Sequence, residues 1–216
     1  MSAPKSSPKS NGAGAVDDDL TRRRRKEISL GACAVFDERG YANTRIADIS
    51  DRLGIGQGTI YRYFTGKDDL MDHIIDHGVR RILAAMREDP AVATDAVSTG
   101  AQFADQITTV AHRLLEMAAQ EQALMRVLLI HAPAARPDAI DELTDQLAAA
   151  TAAYLDVGVE NGYLRTGLNT MAVADALTGV TLAAIRRVLR GQLDATARES
   201  TAHAIGDFVA SGAVNA

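Results

Sequence analysis

Between residues 57 and 67 the sequence reads QGTIYRYFTGK, a short stretch dense in hydrogen-bonding side chains. The Gln57 amide can donate to and accept from one adenine edge, and Thr59 carries both a hydroxyl and a methyl group. Gly58 lets a backbone approach closely. Tyr61 can stack on a thymine methyl or bond a phosphate through its hydroxyl, and Arg62 can take a phosphate or a guanine. This is chemistry for binding rather than turnover. The chain has no glycine-rich phosphate loop, no nucleophile elbow and no triad, so no enzyme is expected. His73 and His77 stand four apart beside Asp72 and Asp76, a spacing that allows a metal, but no third ligand accompanies them. They read as a solvated helix face, and neither metal nor cofactor is expected.

Two helices must hold these side chains. Thr44 has the type of an N-cap, and Ile46, Ile49 and Leu53 then repeat at helical spacing to give one apolar face. Gly54 stops that helix, and Ile55 reads as a buried plug. Gly56 opens a second helix over 57–64, with Ile60 and Phe64 inward and Gln57, Thr59, Tyr61 and Arg62 on the other flanks. This is the layout of a helix-turn-helix, whose second helix enters the DNA major groove by its N-terminal end. Thr44 and Lys67 stand at helix N-termini, natural anion sites, and are expected to grip backbone phosphates, with Arg45 beside them.

The string GYANTRIADISDRLGIGQGTIYRYFTGKDDL over residues 40–70 resembles the DNA-binding domain of the tetracycline-repressor (TetR) family of bacterial regulators. The matching features are the Gly-Tyr that ends a first helix, the capping Thr44, the Ile49/Leu53/Gly54 turn, the Gly-Thr-Ile-Tyr-Arg-Tyr-Phe run and Lys67. With the first helix the motif covers a quarter of the chain. Gly56 departs from the family's Ser or Thr cap, and Ser50 from its Ala. The resemblance implies Tyr61, Tyr63 and Lys67 as phosphate clamps, although Tyr63 also fits a core position of the head. It further implies a homodimer, an inverted-repeat operator and a small-molecule effector.

At 216 residues, nearly half of them apolar, with few aromatics and no run of alternating β-branched residues, the chain reads as all-α. Cys33 is the single cysteine, which excludes an internal disulfide. It fits a buried structural thiol on the first helix better than a redox sensor. The N-terminus has no signal-peptide pattern, and no apolar run would span a bilayer, so a cytoplasmic protein with no membrane partner is expected. The net charge of −5 hides an asymmetry. Residues 20–67 hold ten Lys or Arg against five Asp or Glu, while residues 68–216 hold eleven against twenty. A cationic head on an anionic body follows, and the acidic body disfavours nonspecific wrapping of DNA. The basic run Arg22 to Lys26 reads either as a solvated helix end or as phosphate contacts beside the head.

The expected organisation is a disordered tail over 1–19, a three-helix helix-turn-helix domain over 20–66 and a helical effector-binding and dimerisation domain over 67–216. About nine helices are expected, at 21–39, 44–53, 57–64, 67–87, 94–119, 121–132, 137–161, 169–190 and 194–211, with a loop at 133–137. The eighth is uncharged and apolar or small on every face between residues 176 and 185, so it should bury one side against a partner subunit. Ala176, Gly179 and Ala183, with Ala202, Ile205 and Val209 of the ninth helix, are the expected dimer contacts. Phe103, Ile107, Met117, Met125, Leu128 and Tyr154 are the candidates for a small apolar effector, as are His112 and His131; each also fits ordinary core. The function expected is a sequence-specific transcriptional regulator, of repressor type, that binds double-stranded DNA as a homodimer and answers to an effector. The rival is a helical enzyme or scaffold that the head recruits to DNA. If Lys67 holds a phosphate, Lys67→Ala weakens binding to all duplexes alike and lowers the salt slope by about 1. An unchanged slope removes it from the contacts.

Overall fold

The computed structural model describes residues 12–87 and 99–213. Every regular element among them is helical. The head comprises α1 (Gly12–Arg39), α2 (Ile46–Leu53) and α3 (Gln57–Tyr61), and α4 (Lys67–Arg87) leaves it. The body comprises α5 (Gly100–Gln120), α6, α7 (Pro137–Glu160), α8 (Thr170–Leu189) and α9 (Ala195–Ala213). Helix α6 runs as three consecutive segments: α-helical Gln122–Arg126, π-helical Val127–His131 and α-helical Ala132–Ala135.

Several boundaries differ from expectation. Helix α1 starts at Gly12, nine residues before the expected start, so only residues 1–11 of the expected tail lie outside the described residues. The sequence explains the extension, because Asp17 to Asp19 precede Arg22 to Lys26. That order of signs suits pairing between successive turns, and Asp19 meets Arg22 three residues on at 3.5 Å. Helix α3 ends at Tyr61 rather than at residue 64. Arg25 explains it, taking the Tyr63 carbonyl at 2.8 Å while its guanidinium lies 4.5 Å over the Phe64 ring. The start of α5 is likewise later than expected; residues 94–98 lie outside the described residues, and the Thr99 hydroxyl caps the helix by accepting from the Gln102 N–H. The expected loop at 133–137 is largely helical, because Pro133 sits at a first-turn position where it has no N–H to lose.

The α2–α3 turn forms as its sequence demands. Gly54 adopts φ +64°, and the N–H of Ile55 reaches back to the Ser50 carbonyl at 3.1 Å. Gly40 does the same work at the end of α1, with φ +78° and its N–H on the Phe36 carbonyl. Ile28, Phe36, Ile49, Ile60 and Phe64 are fully buried between these helices. Cys33 is buried with them, and burial pushes its thiol up to about 12, so it stays protonated as a small apolar side chain.

One apolar core continues from head to body, and α4 is the part common to both. Leu70, Met71 and Ile74 are buried in the head, Gly78 seats the Leu128 side chain of α6, and Ile82 is buried in the body. Ion pairs brace this joint. Arg126 of α6 reaches Asp37 of α1 at 3.1 Å and the Leu189 carbonyl at 3.1 Å. Arg81 pairs with Glu121, and Arg136 reaches Asp72 at 2.6 Å and Asp68 at 3.4 Å. In the body α9 lies along α5, closest at Gly206. A Cβ there would stand 2.9 Å from the Ala104 carbonyl oxygen and on top of the Thr108 hydroxyl. Gly206→Ala should therefore destabilise the body by about 1–3 kcal/mol despite the better helix propensity of Ala. A lowered urea midpoint at unchanged m-value is the expected result; an unchanged or raised midpoint contradicts the close approach.

Candidate nucleic-acid interface and effector cavity

Helix α3 presents one face outward. Gln57, Gly58, Tyr61 and Arg62 are exposed, Tyr61 by 55%, while Thr59 and Tyr63 are half-buried and Ile60 is buried beneath them. Arg62 lies 5.4 Å over the Tyr63 ring, so the aromatic face steers the guanidinium. Tyr63 is half-buried, packed against the core of the head with part of its ring at the surface. Gly56 leads into α3 with no side-chain cap.

Three expected contacts need revision. Thr44 is not the cap of α2: it is 2% exposed and its hydroxyl donates to the Gly40 carbonyl at 2.8 Å, closing the end of α1. With its side chain covered and committed, it offers nothing to a phosphate. Arg45 holds the N-cap position, exposed, with its backbone N–H accepted by the Asp48 carboxylate at 2.8 Å. The Lys67 ammonium donates to the Tyr41 carbonyl at 2.7 Å and lies 4.3 Å from the centre of the Tyr41 ring. Lys67 therefore ties the α1–α2 turn to α4, and only its remaining N–H bonds can meet a phosphate. The Tyr41 hydroxyl is hydrogen-bonded to Asp68, and burial together with that bond pushes the phenol up to about 12.

The basic run of α1 divides. Arg22 and Arg24 pair with Asp19 and Glu27 on their own helix, and Arg25 is a brace for α3 that also reaches Asp69 at 3.4 Å. Arg39 and Arg52 pair with Asp48 and Glu38. Among the described residues of the head, Arg23, Lys26, Arg45 and Arg62 make no ion pair, and all four are exposed. His73 packs edge-on against Phe64 at 5.5 Å, and burial holds His73 and His77 below the usual imidazole range.

In the body a cavity of about 370 Å³ lies among α4, α5, α7, α8 and α9. Of the expected effector contacts, Ile107 and Tyr154 line it and the other four do not. Phe103 is fully buried, stacked on Tyr154 at 5.0 Å. Met117 and Met125 are buried in core, and Leu128 is spent against Gly78. Neither His112 nor His131 is in the wall. The wall instead uses residues that sequence reasoning passed over as ordinary apolar positions: Ile82 and Met86 of α4, and Leu177, Thr181 and Ile185 of α8. Threonines within an otherwise apolar helix were the available signal.

The expected dimer contacts divide by helix. Ala176, Gly179 and Ala183 are exposed on α8, open to a partner. Ala202, Ile205 and Val209 are buried within the same chain, where α9 packs on α5. The stripe read as an interface faces inward: Ala202, Ile205 and Val209 form the apolar face of α9, and the opposite face carries Glu199, Ser200, His203 and Asp207. The outward face carries Ala204 and Phe208, the latter 60% exposed, next in order to the buried residues.

Fold and surface together define a helix-turn-helix DNA-binding transcription regulator. The family model for bacterial regulatory proteins of the tetR family matches residues 28–74 of this chain. The chain is 25% identical to the transcriptional repressor KstR2 of Rhodococcus jostii over 147 residues, 68% of this chain and 70% of that protein. Among solved structures it is similar to the ketosteroid transcriptional regulator KstR2 of Mycobacterium tuberculosis, at 21% identity, TM-score 0.65, covering 89% of this chain and 96% of the other. It is also similar to FadR of Bacillus subtilis in complex with stearoyl-CoA, at 19% identity, TM-score 0.72, covering 87% and 98%. Among the described residues no helix is long and apolar enough to cross a membrane.

The two arginines nearest the recognition helix should separate in experiment. Arg62→Ala should lower DNA affinity and reduce the salt slope by about 1 at unchanged thermal stability. Arg25→Ala should instead cost about 1–3 kcal/mol of stability through the orphaned Tyr63 carbonyl. Denaturation and duplex titrations over a range of salt concentrations measure both; a stable Arg25→Ala protein would contradict its role as a brace.

Proposed function

We propose that the protein is a homodimeric, effector-responsive repressor that binds an inverted-repeat operator in the cytoplasm. The observation that carries this reading is the outward face of α3. Its exposed Gln57, Gly58, Tyr61 and Arg62, with Thr59 between, form a compact set of base-reading groups on a rigid buried base. Arg23, Lys26, Arg45 and Arg62 are the unpaired cations that supply phosphate contacts around it, with Tyr61, Tyr63 and Lys67 in supporting positions. Thr44 acts through the backbone it holds.

Dimerisation is supported by the exposed, largely apolar face of α8 and by Phe208 of α9. Met171, Val180 and Phe208 are each about half exposed or more, beside Ala176, Gly179 and Ala183. Large apolar side chains exposed together mark an association surface. Pairing there gives a four-helix interface and sets two heads side by side, so operator half-sites should lie one helical turn apart.

The effector reading rests on the cavity. Ile82 and Met86 in its wall belong to the same helix as Leu70 and Ile74 in the head. A ligand that prefers one position of α4 therefore biases the position of the head. The similar proteins lend support, as KstR2 of M. tuberculosis is a ketosteroid regulator and FadR of B. subtilis holds stearoyl-CoA.

Selection of bound duplexes from a random pool tests the reading. An inverted repeat with half-site centres about 34–36 Å apart is expected, and recovery of single half-sites would contradict the dimer. In parallel, Phe208→Asp should give a monomer in sedimentation and lose tight operator binding. A dimeric Phe208→Asp protein would move the interface elsewhere.

A further inference from the structure

The chemistry of the cavity wall limits what can enter it. Among the described residues no Asp, Glu, Lys, Arg or His lines the cavity; its polar groups are the Gln106 amide, the hydroxyls of Thr151, Thr178 and Thr181, and Tyr154. The Thr151 hydroxyl is already committed to the Leu147 carbonyl at 2.9 Å. An ion brought into such a space loses its hydration and finds no countercharge, a cost of several kcal/mol. A neutral hydrocarbon frame gains from the same surroundings. The volume of about 370 Å³ suits a compact apolar molecule.

A second observation concerns hydrogen bonding. The Tyr154 hydroxyl is covered by protein atoms and has no hydrogen-bond partner, and the Tyr163 hydroxyl is in the same condition. The two phenols flank Phe103, which stacks on Tyr154 and tilts against Tyr163 at 5.9 Å. A buried phenol without an acceptor costs stability in the ligand-free protein. Tyr154 is the member of the pair that lines the cavity. A bound molecule carrying an acceptor at that end satisfies its O–H after a small ring movement.

We propose that the effector is an electrically neutral, mainly hydrocarbon molecule with a carbonyl-type acceptor, and that the Tyr154 hydroxyl is the donor that recognises it. This rests on the cavity being the effector site. It separates the neutral ketone or ester from the corresponding carboxylate and coenzyme A thioester, which share its hydrocarbon part.

The test uses the full-length protein and five probes: methyl decanoate, androstenedione, decanal, decanoate and decanoyl-CoA. Binding is read by calorimetry and by release of the selected operator. At least one neutral probe should bind on the order of 10-fold or more tighter than decanoate and decanoyl-CoA. Tyr154→Phe should weaken that neutral probe about 3- to 10-fold while leaving the thermal midpoint of the free protein unchanged or raised. If decanoate or decanoyl-CoA binds as tightly as the neutral probes, the neutral class is overturned while the cavity reading stands. Unchanged affinity in Tyr154→Phe overturns the donor assignment and points to a trapped water as its partner. If no probe of either charge binds or displaces operator, the neutral class and the cavity reading both fall.

Discussion

The structure depends on α4 being buried at both of its ends. A helix that only linked two units would be apolar on one short stretch. Here Leu70, Met71 and Ile74 fill the head, Gly78 admits Leu128, and Ile82 enters the body. Burying a side chain of this size contributes about 1.5–3 kcal/mol, so neither end can be released without a cost comparable to much of a domain's stability. Head and body are therefore coupled through α4, with the packing of α1 on α6 as a second contact between them. The ion pairs of Arg81, Arg126 and Arg136 sit around that helix and fix its angle more than they add energy, being partly exposed.

That constraint gives the cavity its meaning. A half-open apolar pocket among the helices of the body is a departure from the dense packing of cores. This one is bounded by the far end of α4 and by α8, whose opposite face carries the exposed small residues Ala176, Gly179 and Ala183. Contents of the cavity thus touch both the helix that carries the head and the helix proposed to carry the partner. The π-helical segment of α6, beside Gly78, adds a place where backbone hydrogen bonding is already irregular.

Much of the head was legible because its signals are local. The spacing of Ile46, Ile49 and Leu53 and the glycine at 54 specify a helix and its stop with no help from elsewhere. What escaped was long-range. Thr44 has the type of an N-cap, but its hydroxyl donates to the Gly40 carbonyl and Arg45 takes the capping position. Arg25 looked like one more cation in a basic run, and only the fold brings the Tyr63 carbonyl to it. In the body the limit was different. Ala202, Ile205 and Val209 form the apolar stripe of α9, and a stripe does not say whether it packs on its own chain or on a partner; here it packs on α5. Of the cavity wall only Ile107 and Tyr154 were legible, because a pocket is a property of packing across several helices and leaves little pattern in one chain.

Coupling of the two ends of α4 can be measured without knowing the effector. Amide hydrogen exchange along α4 should be followed in the free protein and with its selected operator bound. A rigid helix transmits protection, so slower exchange is expected at residues 80–87 beside the cavity as well as at residues 67–74 beside the head. Protection confined to residues 67–74, with the cavity end unchanged, would contradict the account.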